Sequence, residues 1–146
     1  MRVSKSFFTV CFVFMASTQI TFAADNVHLL SIDDALKKNS DLLNPNIELF
    51  FSSKLKEKII QDRGFFVSNK KTNGFLKPVK SSCTRAFLSA IISLQQRAVN
   101  EGGNAVINIH SFYRKKEMFS EELFECHKGN TIAGVALKGR VVRLAN

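Results

Sequence analysis

Between Cys83 and Glu101, apolar residues return every three or four positions: Cys83, Phe87, Ala90, Ile91, Leu94 and Ala98. That period places them on one stripe of an α-helix. Arg85, Ser89, Gln96, Arg97 and Asn100 fall mainly off the stripe. Ser81 or Ser82 is positioned to cap the start, and Gly102-Gly103 to stop the end. The stripe reads as core, so the sulfur of Cys83 is expected to point inward, toward a sheet.

The remaining pattern is shorter-ranged. Ile47 to Phe51 reads as a strand. Lys54 to Asp62 is ambiguous between a helical turn and a strand, and runs into the strand-like Gly64-Phe65-Phe66-Val67. Asn73-Gly74 signals a turn, and Lys77 to Ser82, containing Pro78, reads as a linker. Past the helix, Asn104 to Tyr113 reads as a strand and Arg114 to Glu122 as a charged loop or strand extension. Phe124 to Lys128 and Thr131 to Leu144 follow as two strands or one long bent one, punctuated by Gly129, Gly134 and Gly139. Near the start, Ser31-Ile32-Asp33-Asp34 resembles a capped helix that ends near Asn39, before the break at Asn44-Pro45-Asn46. Residues 24–46 are expected to form a loosely packed arm, and residues 47–146 a single domain. Strands, one long helix and then strands predict an α+β fold: an antiparallel or mixed β-sheet with the helix packed on one face.

The first 23 residues change the picture of compartment. Arg2 and Lys5 precede an apolar run from Phe7 to Met15, and Thr21-Phe22-Ala23 offers small residues at the recognition positions. This is the pattern of a secretory signal cleaved after Ala23. The run is shorter than the about 20 residues a membrane-spanning helix needs. Cys11 lies inside it, behind Phe8-Thr9-Val10, and is not a lipidation site. The chain is therefore expected to be exported, either periplasmic or secreted. Cys83 and Cys126 then remain, and an even pair in an oxidising compartment favours a disulfide. Two free thiols or a metal pair are the alternatives left open.

Charge adds a candidate surface. The chain carries 21 Lys and Arg against 12 Asp and Glu, a formal net charge of +9. Lys54, Lys56, Lys58, Arg63, Lys70, Lys71, Lys77 and Lys80 share a stretch whose acids are Glu57 and Asp62. Arg114-Lys115-Lys116 forms a second cluster beside Phe112 and Tyr113. If the two regions meet, Lys70, Lys71, Arg114, Lys115 and Lys116 make a basic face suited to anionic lipid head groups or polyanions. Phosphate contacts alone would also hold nucleic acid, but export separates the chain from it. The plain alternative is that the charges are solvated edges that discourage sheet-to-sheet association.

Candidate chemistry is sparse. His110 and His127 are the weak candidates for metal ligation or proton transfer near neutral pH. Glu125-Cys126-His127 looks like a site, yet strand neighbours point to opposite faces. With Cys126 inward, Glu125 and His127 share the other, exposed face. The cysteines lack the Cys-x-x-Cys spacing of redox enzymes. No cofactor is implied, and the expectation is a non-enzymatic binding module, with a small hydrolase or redox enzyme as the last alternative.

Four blocks together carry a resemblance. They are Asn69-Lys70-Lys71-Thr72-Asn73-Gly74; Cys83 with Ala86-Phe87-Leu88-Ser89-Ala90 and Leu94-Gln95; Gly103-Asn104-Ala105-Val106-Ile107-Asn108-Ile109; and Glu125-Cys126-His127 leading to Ala133-Gly134-Val135-Ala136-Leu137-Lys138-Gly139. Over about residues 47–144 the chain resembles small exported bacterial proteins that often carry the inherited label "excinuclease ATPase subunit". The label fails here on physical grounds, since no glycine-rich loop ends in Gly-Lys-Ser/Thr to cradle phosphates. At the level of fold the chain is also similar to the Rcs envelope-stress lipoprotein and to YbjQ-type domains. That likeness implies a disulfide between the matching Cys83 and Cys126. The chain departs from the lipoprotein in lacking a lipidated cysteine and a second disulfide, so the stress-sensing role does not carry over. The expectation is an envelope-associated or secreted module whose partner the resemblances leave unknown; the charge suggests anionic lipid head groups, and an envelope protein is the other candidate.

Overall fold

Backbone pairing draws strands from both sides of the long helix into one sheet. The computed structural model describes residues 25–52, 55 and 57–145. The expected signal segment lies outside the described residues, as do Lys54 and Lys56 of the first basic stretch. The elements are β1 (Asn26–Ser31), α1 (Ile32–Lys37), β2 (Glu48–Phe51), β3 (Ile59–Asn73), α2 (Val79–Asn100), β4 (Ala105–Ser111), β5 (Leu123–Lys128) and β6 (Ile132–Leu144).

β6 is the spine of the sheet. One of its edges pairs antiparallel with β3 from Ile59↔Leu144 to Asn73↔Ile132. Its other edge is shared by β4 (Ala105↔Val142 to Ser111↔Leu137) and β5 (His127↔Gly134, Lys128↔Ala133). β2 adds to β4 in parallel, and β1 adds to β5 antiparallel. The sheet is mixed and α2 covers one face, so the fold is the expected α+β arrangement.

All six stripe residues of α2 are buried, joined by Ala86, Leu88 and the polar Ser82 and Gln95. Phe87 stacks on Phe124 of β5 with ring centroids 4.0 Å apart, and Phe51 packs 6.2 Å away. Beside this core, Cys83 and Cys126 are bonded, with Cα atoms 5.8 Å apart and both residues fully buried. The staple ties the start of α2 to β5. At the other end of α2, Gly102 takes φ +71° while its N–H reaches Val99 O and the N–H of Gly103 reaches Ala98 O. This left-handed closure satisfies the last carbonyls and favours glycine. Gly139 serves a different need: a Cβ there would sit 2.6 Å from Val106 Cγ1, so the absent side chain lets β4 and α2 close over β6.

Three sequence expectations are corrected. The helix begins at Val79, not Cys83, so residues 79–82 are helical rather than linker. Neither Ser81 nor Ser82 caps it: Pro78 stands at the N-cap, and Ser82 Oγ is turned back on Pro78 O at 3.0 Å. Proline opens a helix readily, because its φ is preset and its missing N–H would lack a helical partner there. The arm at 24–46 is not loosely packed. β1 fills the backbone edge of β5, Ser31 caps α1 by accepting the Asp34 N–H at 3.1 Å, and α1 runs only to Lys37. Buried Gln95 then fastens the Asn44–Ile47 bend, donating to Asn44 O and Ile47 O and accepting from Asn44 N. Finally, the ambiguous segment resolves at Ile59, where β3 begins.

Candidate functional site

The free side of β3 and the polar side of α2 border an open groove of about 730 Å³. β3 contributes Lys70 and Lys71; α2 contributes Ser89, Ile92, Ser93, Gln96, Arg97 and Asn100. The helix positions recur at three and four residues, so they form a single polar stripe beside the buried one. Strand neighbours point to opposite faces, yet at this edge both lysines reach the hollow. Arg97 rests over the Phe66 ring at 4.9 Å and pairs with Glu101 at 3.3 Å. Lys70 and Lys71 have no carboxylate partner among the described residues. No acidic residue lines the groove.

The second basic cluster sits at the tip of a closed loop. Ser111 and Met118 exchange two backbone hydrogen bonds, 3.1 and 2.9 Å, which pinch off residues 112–117. Arg114 and Lys115 adopt left-handed φ of 50° and 64°, and Arg114, Lys115 and Lys116 are all exposed. The two clusters meet in part. Lys71 and Arg114 line one hollow of about 300 Å³ with Asn130 and Thr131 of the β5–β6 turn. Lys116 lines a neighbouring hollow of about 350 Å³ with Val27 and Glu125. Lys70 turns toward α2, and Lys115 lines none of these hollows. The basic surface is therefore a strip running from the groove over Lys71 to Arg114.

His127 lies between the last two hollows, and the expectation of an exposed pair is corrected. Glu125 and His127 do share the face opposite Cys126, but only 10% of the His127 side chain is accessible. Tyr113 covers it, with rings 3.4 Å apart and nearly parallel. Glu125 Oε1 meets Nε2, and Asp25 Oδ2 lies 3.5 Å from Nδ1 while accepting the Tyr113 hydroxyl at 2.6 Å. That hydrogen bond to the carboxylate holds the Tyr113 phenol above its usual range. The two carboxylates address opposite ring nitrogens, so they cannot share one metal ion with His127. The cluster pins the entry of β1 to the basic loop.

His110 is buried on the sheet face away from α2, brought there by a bulge between Ile107 and His110 where Asn108 has φ 52°. Its Nδ1–H donates to Asn108 O at 2.8 Å, and Phe119 covers the ring. Nε2 faces Glu117 at 3.6 Å, too far for a hydrogen bond. Glu117 itself pairs with Lys138 at 2.7 Å, and that ammonium holds the carboxyl below its usual range. Among the described residues, no group of three or more His, Cys, Asp or Glu converges as a metal site.

Comparison with known protein families and with curated protein sequences returns no match. Among the described residues, no helix is long and apolar enough to cross a membrane.

Sequence reasoning names Tyr113 beside the basic cluster but misses Asp25, 88 residues away, which meets it only through the sheet. It also placed Arg97 and Gln96 correctly off the buried stripe without recognising that this side of α2 faces β3. The signal present in the sequence was the repeat of polar residues through Ser89, Ser93, Gln96, Arg97 and Asn100.

Proposed function

We propose that the chain is an exported, non-catalytic binding module, periplasmic or secreted, that holds an anionic ligand in the groove between α2 and β3. One observation carries this reading: Lys70 and Lys71, neither with a carboxylate partner among the described residues, line a groove of about 730 Å³ beside Arg97, which is itself paired with Glu101. A cleft lined by one sign of charge concentrates ligands of the other. The leader-like first 23 residues and the Cys83–Cys126 bond support the compartment.

Polyphosphate titrated over a salt series tests the reading, because its charge comes without amide groups or bases. Binding should weaken as salt rises, and the double variant Lys70→Ala/Lys71→Ala should bind roughly tenfold more weakly, about 0.7 kcal/mol per exposed charge. Salt-independent binding, or an unaffected double variant, would contradict it.

A second reading has its own support. Phe119 is 53% exposed on the loop that follows Arg114-Lys115-Lys116, an aromatic beside a basic tip that suits an anionic bilayer surface. Co-sedimentation with anionic and neutral liposomes tests it. Selective, salt-sensitive binding lost in the Arg114, Lys115 and Lys116 triple alanine variant supports membrane docking; equal behaviour toward both liposomes contradicts it.

A further inference from the structure

Among the described residues, β3 is hydrogen-bonded on one side only. Its partner there is β6, and from Phe65↔Arg140 to Asn73↔Ile132 the register is unbroken. In an antiparallel pair, alternate residues direct both N–H and C=O away from the partner. The regular half of β3 thus presents a row of unpaired donors and acceptors, the template on which another strand forms.

The α2 groove runs beside that edge. Its helix positions extend from Ser89 to Asn100, about 16 Å at 1.5 Å per residue. That is the length of about five residues of extended chain. A strand laid on the edge of β3 would direct every second side chain toward α2, into the groove. Lys70, Lys71 and Arg97 would meet acidic side chains there, and half-exposed Ile92 an apolar one.

We infer that the free edge of β3 and the α2 groove together form a strand-addition site for an extended, acidic segment of another polypeptide. The inference rests on the proposed anion-binding groove and names its occupant. Charge selects the partner. The unpaired lysines repel a second copy of this basic chain edge to edge, and attract a strand carrying carboxylates. Main-chain hydrogen bonds supply the pairing, while the groove reads alternate side chains.

The test uses a soluble peptide alternating Val and Glu, a second copy of it with alternate backbone amides N-methylated, and polyphosphate. Binding is read by titration and by amide hydrogen exchange of the whole protein. The unmodified peptide should slow exchange in the Phe65–Asn73 stretch, and N-methylation should weaken it at least roughly tenfold, the loss of two or more hydrogen bonds. The Lys70→Ala/Lys71→Ala variant should bind the unmodified peptide more weakly, with its melting temperature unchanged. Binding of polyphosphate together with indifference to N-methylation would overturn strand addition while leaving the anion-binding groove intact. Failure of both polyphosphate and peptide to bind would overturn both. Peptide binding with protection confined to the 112–118 loop would move the site and overturn the inference.

Discussion

Two pairs of cations stand on the β3–β6 ribbon and differ in how they are satisfied. Lys138 and Arg140 of β6 lie on the face away from α2. Lys138 pairs with Glu117 at 2.7 Å and sits between the Phe65 and Phe112 rings, 5.2 and 4.8 Å from their centroids. Arg140 is paired with Asp62 and lies 5.5 Å from the Phe65 ring. Lys70 and Lys71 of β3 have neither an acid nor an aromatic ring among the described residues. Charge on the far face is neutralised within the fold and helps cover exposed apolar rings. Charge at the β3 edge is left for solvent or a ligand. Net charge alone does not separate these two uses; pairing does.

Changes to the scaffold should move stability and leave the affinity of the folded protein alone. The largest effect is expected from Cys83→Ser, which opens a 43-residue separation between bonded cysteines. Loop entropy puts the loss at up to about 4 kcal/mol, read as a lower urea midpoint. An unchanged midpoint would show that the staple adds little. Gly139→Ala comes next. Its Cβ would press on Val106 and Ile109, an overpacking effect of about 1–3 kcal/mol, again measured by urea unfolding.

The paired cations should reveal themselves through acid. Arg140 holds the Asp62 carboxyl below its ordinary 3.8, and Lys138 holds Glu117 below its ordinary 4.5. A carboxyl whose folded pKa is depressed binds protons more readily when unfolded. Its stabilisation is therefore present above the ordinary value and is lost as pH falls through the folded one. Asp62→Asn and Glu117→Gln should each flatten the fall of melting temperature on acidification below about pH 4.5; a slope identical to that of the parent would contradict the pairing. The smallest effect on stability belongs to Lys70→Ala/Lys71→Ala: no change in melting temperature is expected, because neither lysine holds an acidic partner among the described residues. A clear shift would place both lysines in the scaffold.

Legibility in the sequence followed the range of the interactions. The buried stripe of α2 was readable because a period of three to four over five turns is a local signal, and the disulfide because cysteine parity and an export pattern constrain each other. The arm was misread: β1 shows weak alternation, and its exposed Val27 and Leu29 look no different from loop residues. Its order comes from the open edge of β5 and from Gln95, 51 residues beyond Asn44. The helix start is hard to place from sequence because serines are common caps and Pro78 reads equally as linker. At the candidate site the cations themselves were legible. Which of them had partners was not, since pairing depends on Glu117 meeting Lys138 and Asp62 meeting Arg140 across the sheet.

The most direct measurement is polyphosphate binding by two double variants that each remove two positive charges, Lys70→Ala/Lys71→Ala and Lys138→Ala/Arg140→Ala. Binding should be roughly tenfold weaker for the first and change by no more than about twofold for the second. Equal losses in both would mean that net charge, and not the open groove, attracts the ligand.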